Sequence, residues 1–345
     1  MCTYVSISIV PKVKSLFGNF LNKRPQGTYR VSSQVITSYP LGLNMKQRWL
    51  RISLRTTLVA FTVLCVSLGW YVYRVGKQQT AARWILENRG QVVYAFENET
   101  QLSDSRSPSF VPKWLFDVLG ADYFSSVTEV NGLQTDLSDI APLAALTKLE
   151  ILNLDDTQVT DLTPLANLTE LVSLSLSNTP VQNVKPLAGL TKLEGLYLDG
   201  THVSDLSPLE ELTNLEELFL FSTQVSDAKP LAGMTELLSL SLANTKVSDI
   251  RPLTRLTKLE CLRLDPSEVH DVRPLAGLTQ LRILSLAFTQ VSDVSPLAKL
   301  SNLRELHLNN AQVGEEQMKE LQNALPKCVI NKRDLWVNGA PINGG

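Results

Sequence analysis

Cysteine, histidine and aromatic residues are all sparse in this sequence, and each scarcity removes a class of chemistry. The four cysteines are Cys2, Cys65, Cys261 and Cys328. None is paired at CxxC or metal-ligand spacing, and Cys65 lies inside an apolar run, so neither a zinc site nor a disulfide framework is expected. A Cys261–Cys328 bridge would have to reach across about three of the repeats described below. The three histidines are His202, His270 and His307. His202 and His270 stand at loop positions where sister segments carry Gln, Lys, Glu or Ser, and read as solvated variants. His307, on the concave side of the last strand, has no Ser or Cys placed beside it by the repeat, and no carboxylate spacing suggests a metal. Asp155-Asp156 imitates a carboxylate pair, but adjacent strand residues point to opposite faces. Phosphate loops, GxGxxG, HExxH and GxSxG are absent. The expectation is a protein without catalytic residues, metal or cofactor.

Acidic side chains are missing altogether from residues 1–55, which hold nine basic ones from Lys12 to Arg55. The chain has 32 basic and 34 acidic residues, so 56–345 keeps 23 basic against 34 acidic, a net charge of −11. A basic tail therefore precedes an acidic body, and an acidic body repels a phosphate backbone, which argues against nucleic acid as a partner.

Long apolar runs are also missing, with one exception. TTLVAFTVLCVSLGWYVY, from Thr56 to Tyr73, is eighteen residues without a charge, the lower end of what crosses a bilayer core of ~30 Å. Trp70, Tyr71 and Tyr73 gather at one end, where aromatic side chains meet headgroups. A retained signal anchor fits best. A cleaved signal peptide lacks a cleavage site beyond the weak Thr80-Ala81-Ala82; a lipoprotein signal is disfavoured by Leu64 before Cys65; a buried core helix is disfavoured by the flanking basic clusters. The excess of basic residues before the span puts the N-terminus in the cytoplasm and the body outside it, periplasmic or extracellular. Residues 1–44 show no usable period, and Met45-Lys46-Gln47-Arg48 has the form of an alternative translation start.

What the sequence has in abundance is a repeat. Proline followed by leucine recurs at Pro142, Pro164, Pro186, Pro208, Pro230, Pro252, Pro274 and Pro296, every interval 22 residues. Thr, or Ser at 267, stands seven residues before each proline, and Asp stands three before it, with Asn183 once in its place. Each unit follows LxxLxLxxTxVxDLxPLxxL. The LxL core has the period of a strand. The Thr is placed to hydrogen-bond a neighbouring loop backbone, and the Asp to cap a short helical turn that tolerates Pro, a reading preferred to calcium binding. Twenty-two residues leave no room for a full α-helix on the return side, which is expected to be 3₁₀ or extended. One unit cannot bury its own leucines, so the units must stack.

These units resemble leucine-rich repeats of the short, internalin-like class, over about 127–313, with Thr where that class has Asn at the turn. RISLRTTLVAFTVL (51–64) is similar, more weakly, to the anchor of bacterial single-pass membrane proteins. The resemblance implies an α/β solenoid: a curved horseshoe with a parallel β-sheet on the concave face and 3₁₀ or extended segments on the convex face, preceded by one transmembrane helix. The division expected is a basic tail (1–55), an anchor (56–73), a membrane-proximal helix and N-terminal cap (74–126), repeats (127–313) and a C-terminal cap with tail (314–345). Within the caps, helices are expected over 77–89, 112–120 and 314–325, strands over 91–97 and 327–330, and a loop over 98–110.

The function expected is a non-enzymatic module that binds a protein, or a polysaccharide, on its concave face outside the cytoplasm, held to the lipid bilayer through 56–73. A structural envelope scaffold without a discrete ligand is the alternative; an enzyme or signalling receptor fits worst. Most side chains between and after the LxL leucines are small or polar. Tyr197, Phe219 and Phe221 break that rule on two adjacent strands, with Arg263 two strands further on. Exposed aromatics grouped in this way mark a candidate ligand surface, unless the 98–110 loop covers them.

Overall fold

The computed structural model describes residues 54–95, 114, 123, 125–132 and 136–332. By its contacts the chain divides into residues 1–57 and 58–345; of the first unit only Leu54–Thr57 are described. The expectations for 98–110, for 112–120 apart from residue 114, and for the two ends of the chain fall outside the described residues.

The chain enters on helix α1 (Leu54–Glu87), about 51 Å long at 1.5 Å per residue. The apolar span and the helix expected over 77–89 are thus one unbroken element; no proline interrupts it. Its first part, Thr56 to Tyr73, is exposed at every position, whereas Val75, Gln78, Ala81, Ala82 and Ile85 are buried. A buried core helix over 56–73 is thereby excluded. Ala81 and Ile85 belong to the same apolar core as the repeat leucines, and Gln78 Nε2 donates to the Ser125 carbonyl at 2.9 Å. Arg89 takes a left-handed conformation (φ 62°), and the Gly90 and Arg89 amides donate to the Ile85 and Leu86 carbonyls. That pair of bonds is a Schellman ending.

Eleven strands follow in chain order across one sheet. They are β1 (Gln91–Tyr94), β2 (Val127–Asn131), β3 (Ile151–Asn153), β4 (Ser173–Ser175), β5 (Gly195–Tyr197), β6 (Glu217–Phe219), β7 (Ser239–Ser241), β8 (Cys261–Arg263), β9 (Ile283–Ser285), β10 (Glu305–His307) and β11 (Val329–Asn331). β2 to β11 are parallel, whereas β1 pairs antiparallel with β2, so the first edge of the parallel ladder is covered. Helix α2 (Glu315–Ala324) and β11 close the other end. Register is strict: Leu218 pairs with Leu240 and Leu240 with Leu262. Both leucines of each LxL are buried from Leu152 to Leu308. Each fully buried leucine contributes about 1.5–3 kcal/mol, and only stacking makes that burial possible.

The return side is 3₁₀, as expected, with short turns such as Thr163–Leu165 and Arg251–Arg255 that carry the proline second. The aspartates act one step earlier than a helix cap. Each accepts from the backbone N–H two residues on, at 2.8–3.0 Å, forming an Asx turn that leads into the 3₁₀ segment; Asn183 does the same. The Thr column also differs from expectation. Thr157, Thr179, Thr201, Thr223, Thr245 and Thr289 each donate to the carbonyl three residues back, within their own turn. A buried hydroxyl must find a partner, and the nearest is the strand-end leucine carbonyl.

Candidate ligand-binding face

The face of the sheet opposite the leucine core is built from the residues between and after the LxL leucines. Its size profile changes along the sheet. β5 and β6 carry Tyr197, Phe219 and, just past the strand end, Phe221. β7 carries buried Ser241, with buried Ala243 just past its end, and β8 carries Arg263, with Asp265 just past its end. Large side chains on β6, small ones on β7 and charged ones on β8 produce a groove of about 430 Å³, its lining including Asp199, Phe219, Phe221, Ser241, Arg263 and Asp265. That size lies within the range of small-ligand and side-chain pockets.

Phe219, Phe221 and Arg263 therefore come together around one depression, with Phe221 46% exposed. Tyr197 is adjacent to it without lining it. Its ring lies over Gly195, where a Cβ would come within 3.2 Å of it, and it meets Phe219 edge-on at 5.3 Å between centroids. Its hydroxyl donates to Glu217. Burial, together with that carboxylate, pushes the Tyr197 pKa up to about 12, so the ring stays neutral and buttresses Phe219.

The acidic members of the groove are not singled out by hydrophobicity in the sequence, although they share a column with Phe221. Burial, with the nearby Asp155 carboxylate, raises the Asp199 carboxyl above its ordinary range; the Phe221 amide, which donates to it at 2.7 Å, and Arg263 offset this only in part. Asp265 Oδ1 is buried and has no hydrogen-bond partner among the described residues. A column analysis that asked for polar residues flanking the aromatics would have found both.

Elsewhere on this face His307 lies 3.6 Å from the Glu305 carboxylate, a neighbour two residues back that the sequence pattern does not single out, and 3.4 Å from Asn331. Among the described residues no three of His, Cys, Asp or Glu gather as a metal site, and Cys65, Cys261 and Cys328 are free thiols. A row of ion pairs between repeats, Lys148 and Lys192 with Glu170, Lys258 with Glu236 and Arg282 with Glu260, is largely exposed. Exposed pairs of this kind contribute little individually.

Comparison with known proteins agrees with the architecture. A family profile described as leucine-rich repeats (two copies) matches residues 169–211, 191–233 and 279–323. The crystal structure of an internalin (inlF) from Listeria monocytogenes is 35% identical, with a TM-score of 0.55, over 57% of this chain and 57% of that one. Internalin C2 (inlC2) from the same species is 42% identical, with a TM-score of 0.52, over 53% of this chain and 81% of that one. The leucine-rich-repeat ectodomain of a plant membrane receptor kinase from Arabidopsis thaliana, solved in complex with Casparian strip integrity factor 2, shares the fold at 20% identity and a TM-score of 0.51, over 61% of this chain and 30% of that one. Among curated proteins no match is found. The 22-residue period, the strict parallel register and the identity to internalin C2 converge on one assignment: the chain belongs to the internalin-like leucine-rich-repeat family.

Proposed function

We propose that this protein is a non-enzymatic binding module, held to a membrane through α1, that engages a protein partner outside the cytoplasm on the open face of its sheet. Tyr197, Phe219, Phe221 and Arg263 form the candidate contact surface. The observation that carries the reading is the partly exposed aromatic cluster beside a small-floored groove, on a face otherwise made of small and polar residues. Exposed aromatics are unfavourable to solvate and recur as binding hot spots. This chain spans 57% of the length of the inlF internalin it matches, so the identity of the partner is argued from the groove and not carried over.

Anchoring is supported by the exposed apolar stretch of α1, the one span among the described residues long and apolar enough to cross a bilayer. Arg74 lies over Trp70 at 5.7 Å and Lys77 over Tyr73 at 5.2 Å, a pairing suited to a headgroup layer.

The test replaces Tyr197, Phe219 and Phe221 together by serine in the full chain and compares capture of protein from envelope extracts of the expressing cells. Capture of the partner held by the wild type should fall about tenfold or more, the size of a hot-spot loss, while the melting temperature changes little. Undiminished capture would place the contact surface elsewhere.

A further inference from the structure

We infer that the groove over β6–β8 is a receptacle for a basic side chain, arginine or lysine, presented by the protein partner proposed above; the inference rests on that reading and supplies its chemistry. Two carboxylates, Asp199 and Asp265, line the groove with a single cation, Arg263, leaving it one net negative charge. Arg263 lies near enough to Asp199 and Cys261 to act on both. By contrast, Asp265 Oδ1 accepts no hydrogen bond among the described residues. A buried acceptor without a donor carries a desolvation penalty that a ligand N–H removes, and the broad terminal torsion of an aspartate lets the carboxylate turn to meet it.

The other walls favour the same guest. Phe219 and Phe221 stand on the groove's edge, and a cation within about 6 Å of a ring face is attracted by the ring's quadrupole. The floor of Ser241 and Ala243 is too low to exclude a long unbranched stem, which lies along apolar surface while its head seeks charge. An acidic guest would meet two carboxylates. A neutral amide could reach Asp265 but would lack the charge-assisted bond. At longer range the excess of 34 acidic over 23 basic residues in 56–345 draws a basic surface toward the sheet.

The inference is tested on the full-length protein in detergent micelles carrying ring-fluorinated phenylalanine, with the Phe219 and Phe221 signals assigned by substitution. The probes are N-acetyl-arginine amide, its neutral isostere N-acetyl-citrulline amide, and N-acetyl-glutamate amide. The arginine probe should shift both signals saturably, and the citrulline probe should bind about tenfold more weakly or worse. Asp265→Asn should weaken the arginine probe by a similar factor. Arg263→Gln, which removes the like charge, should strengthen it. No shift with arginine, equal affinity for citrulline, preference for glutamate, or weakening by Arg263→Gln would each overturn the inference. If that happens while envelope capture still depends on the aromatic cluster, the binding-face reading survives without its charge preference. If capture is also indifferent to the cluster, both fall.

Discussion

Directly before the Thr column, most repeats turn through a left-handed residue. Asp156, Asn178, Gly200, Ser222 and Asn244, with Asn310 at the matching place before Ala311, have φ between 52° and 68°, a region that Gly, Asn and Asp tolerate best; Pro266 departs from the series. At Gly200 a Cβ would come 2.6 Å from Asn178 Oδ1, so a larger residue there would have to displace the Asn178 side chain. Phe288 is the exception: φ is 55° and the ring is 54% exposed. For a bulky L-residue this conformation costs about 1–2 kcal/mol, with only partial burial in return. Phe288→Asn should therefore raise the urea midpoint of the full chain, by about 1 kcal/mol in stability. A lowered midpoint would mean that the ring packs more productively than its exposure implies.

The Asx turns and 3₁₀ segments repeat a single local solution, and their charge state ties the fold to pH. Hydrogen bonds from the Arg251 side chain and backbone hold the Asp249 carboxyl at about 2, and those from Arg273 do the same for Asp271. Asp161, Asp205 and Asp293 are lowered by the side-chain hydroxyl and amide of the residue two positions on. These folded-state values lie below the unfolded ones, so the contribution is complete above about pH 4 and is lost as pH falls toward 2. The groups are exposed, which keeps each contribution small; it is the repetition that gives them weight. Asp249→Asn combined with Asp271→Asn keeps an acceptor in both turns. The double variant should melt slightly below the wild type at neutral pH, converge with it as pH falls toward 2, and so show a shallower fall in melting temperature below about pH 4. An unchanged acid slope would show that other groups govern it.

For the molecule as a whole, the continuity of α1 matters most. The same helix that exposes Leu58, Phe61 and Val66 buries Ala81 and Ile85 in the repeat core. Among the described residues the apolar stretch runs without interruption into the part of α1 that packs on the repeat core, so under the anchoring proposal one rigid helix joins the membrane span to the repeats. If the proposed orientation holds, with the basic tail in the cytoplasm, a reporter active only outside the cytoplasm, fused after residue 345, should be active. Activity of a cytoplasm-only reporter at the same point would reverse the orientation.

The repeat was legible because its physics is local and periodic. Proline, aspartate and paired leucines at 22-residue intervals state the strand, the turn and the inward face in every unit, and no other arrangement buries LxL on stacked strands. The sequence alone also located the aromatic outliers at 197, 219 and 221, since an alignment of columns is an alignment of neighbours on the sheet. Tertiary structure decided the rest, where the outcome depends on side-chain volumes meeting across strands. Tyr197 folded back over Gly195 because a missing Cβ left room there. A groove opened because Ser241 and Ala243 are short between taller neighbours. Asp265 was left without a donor, a condition no periodicity encodes. The apolar span and the helix expected over 77–89 proved to be one element, because residues 54–87 contain no proline to break it.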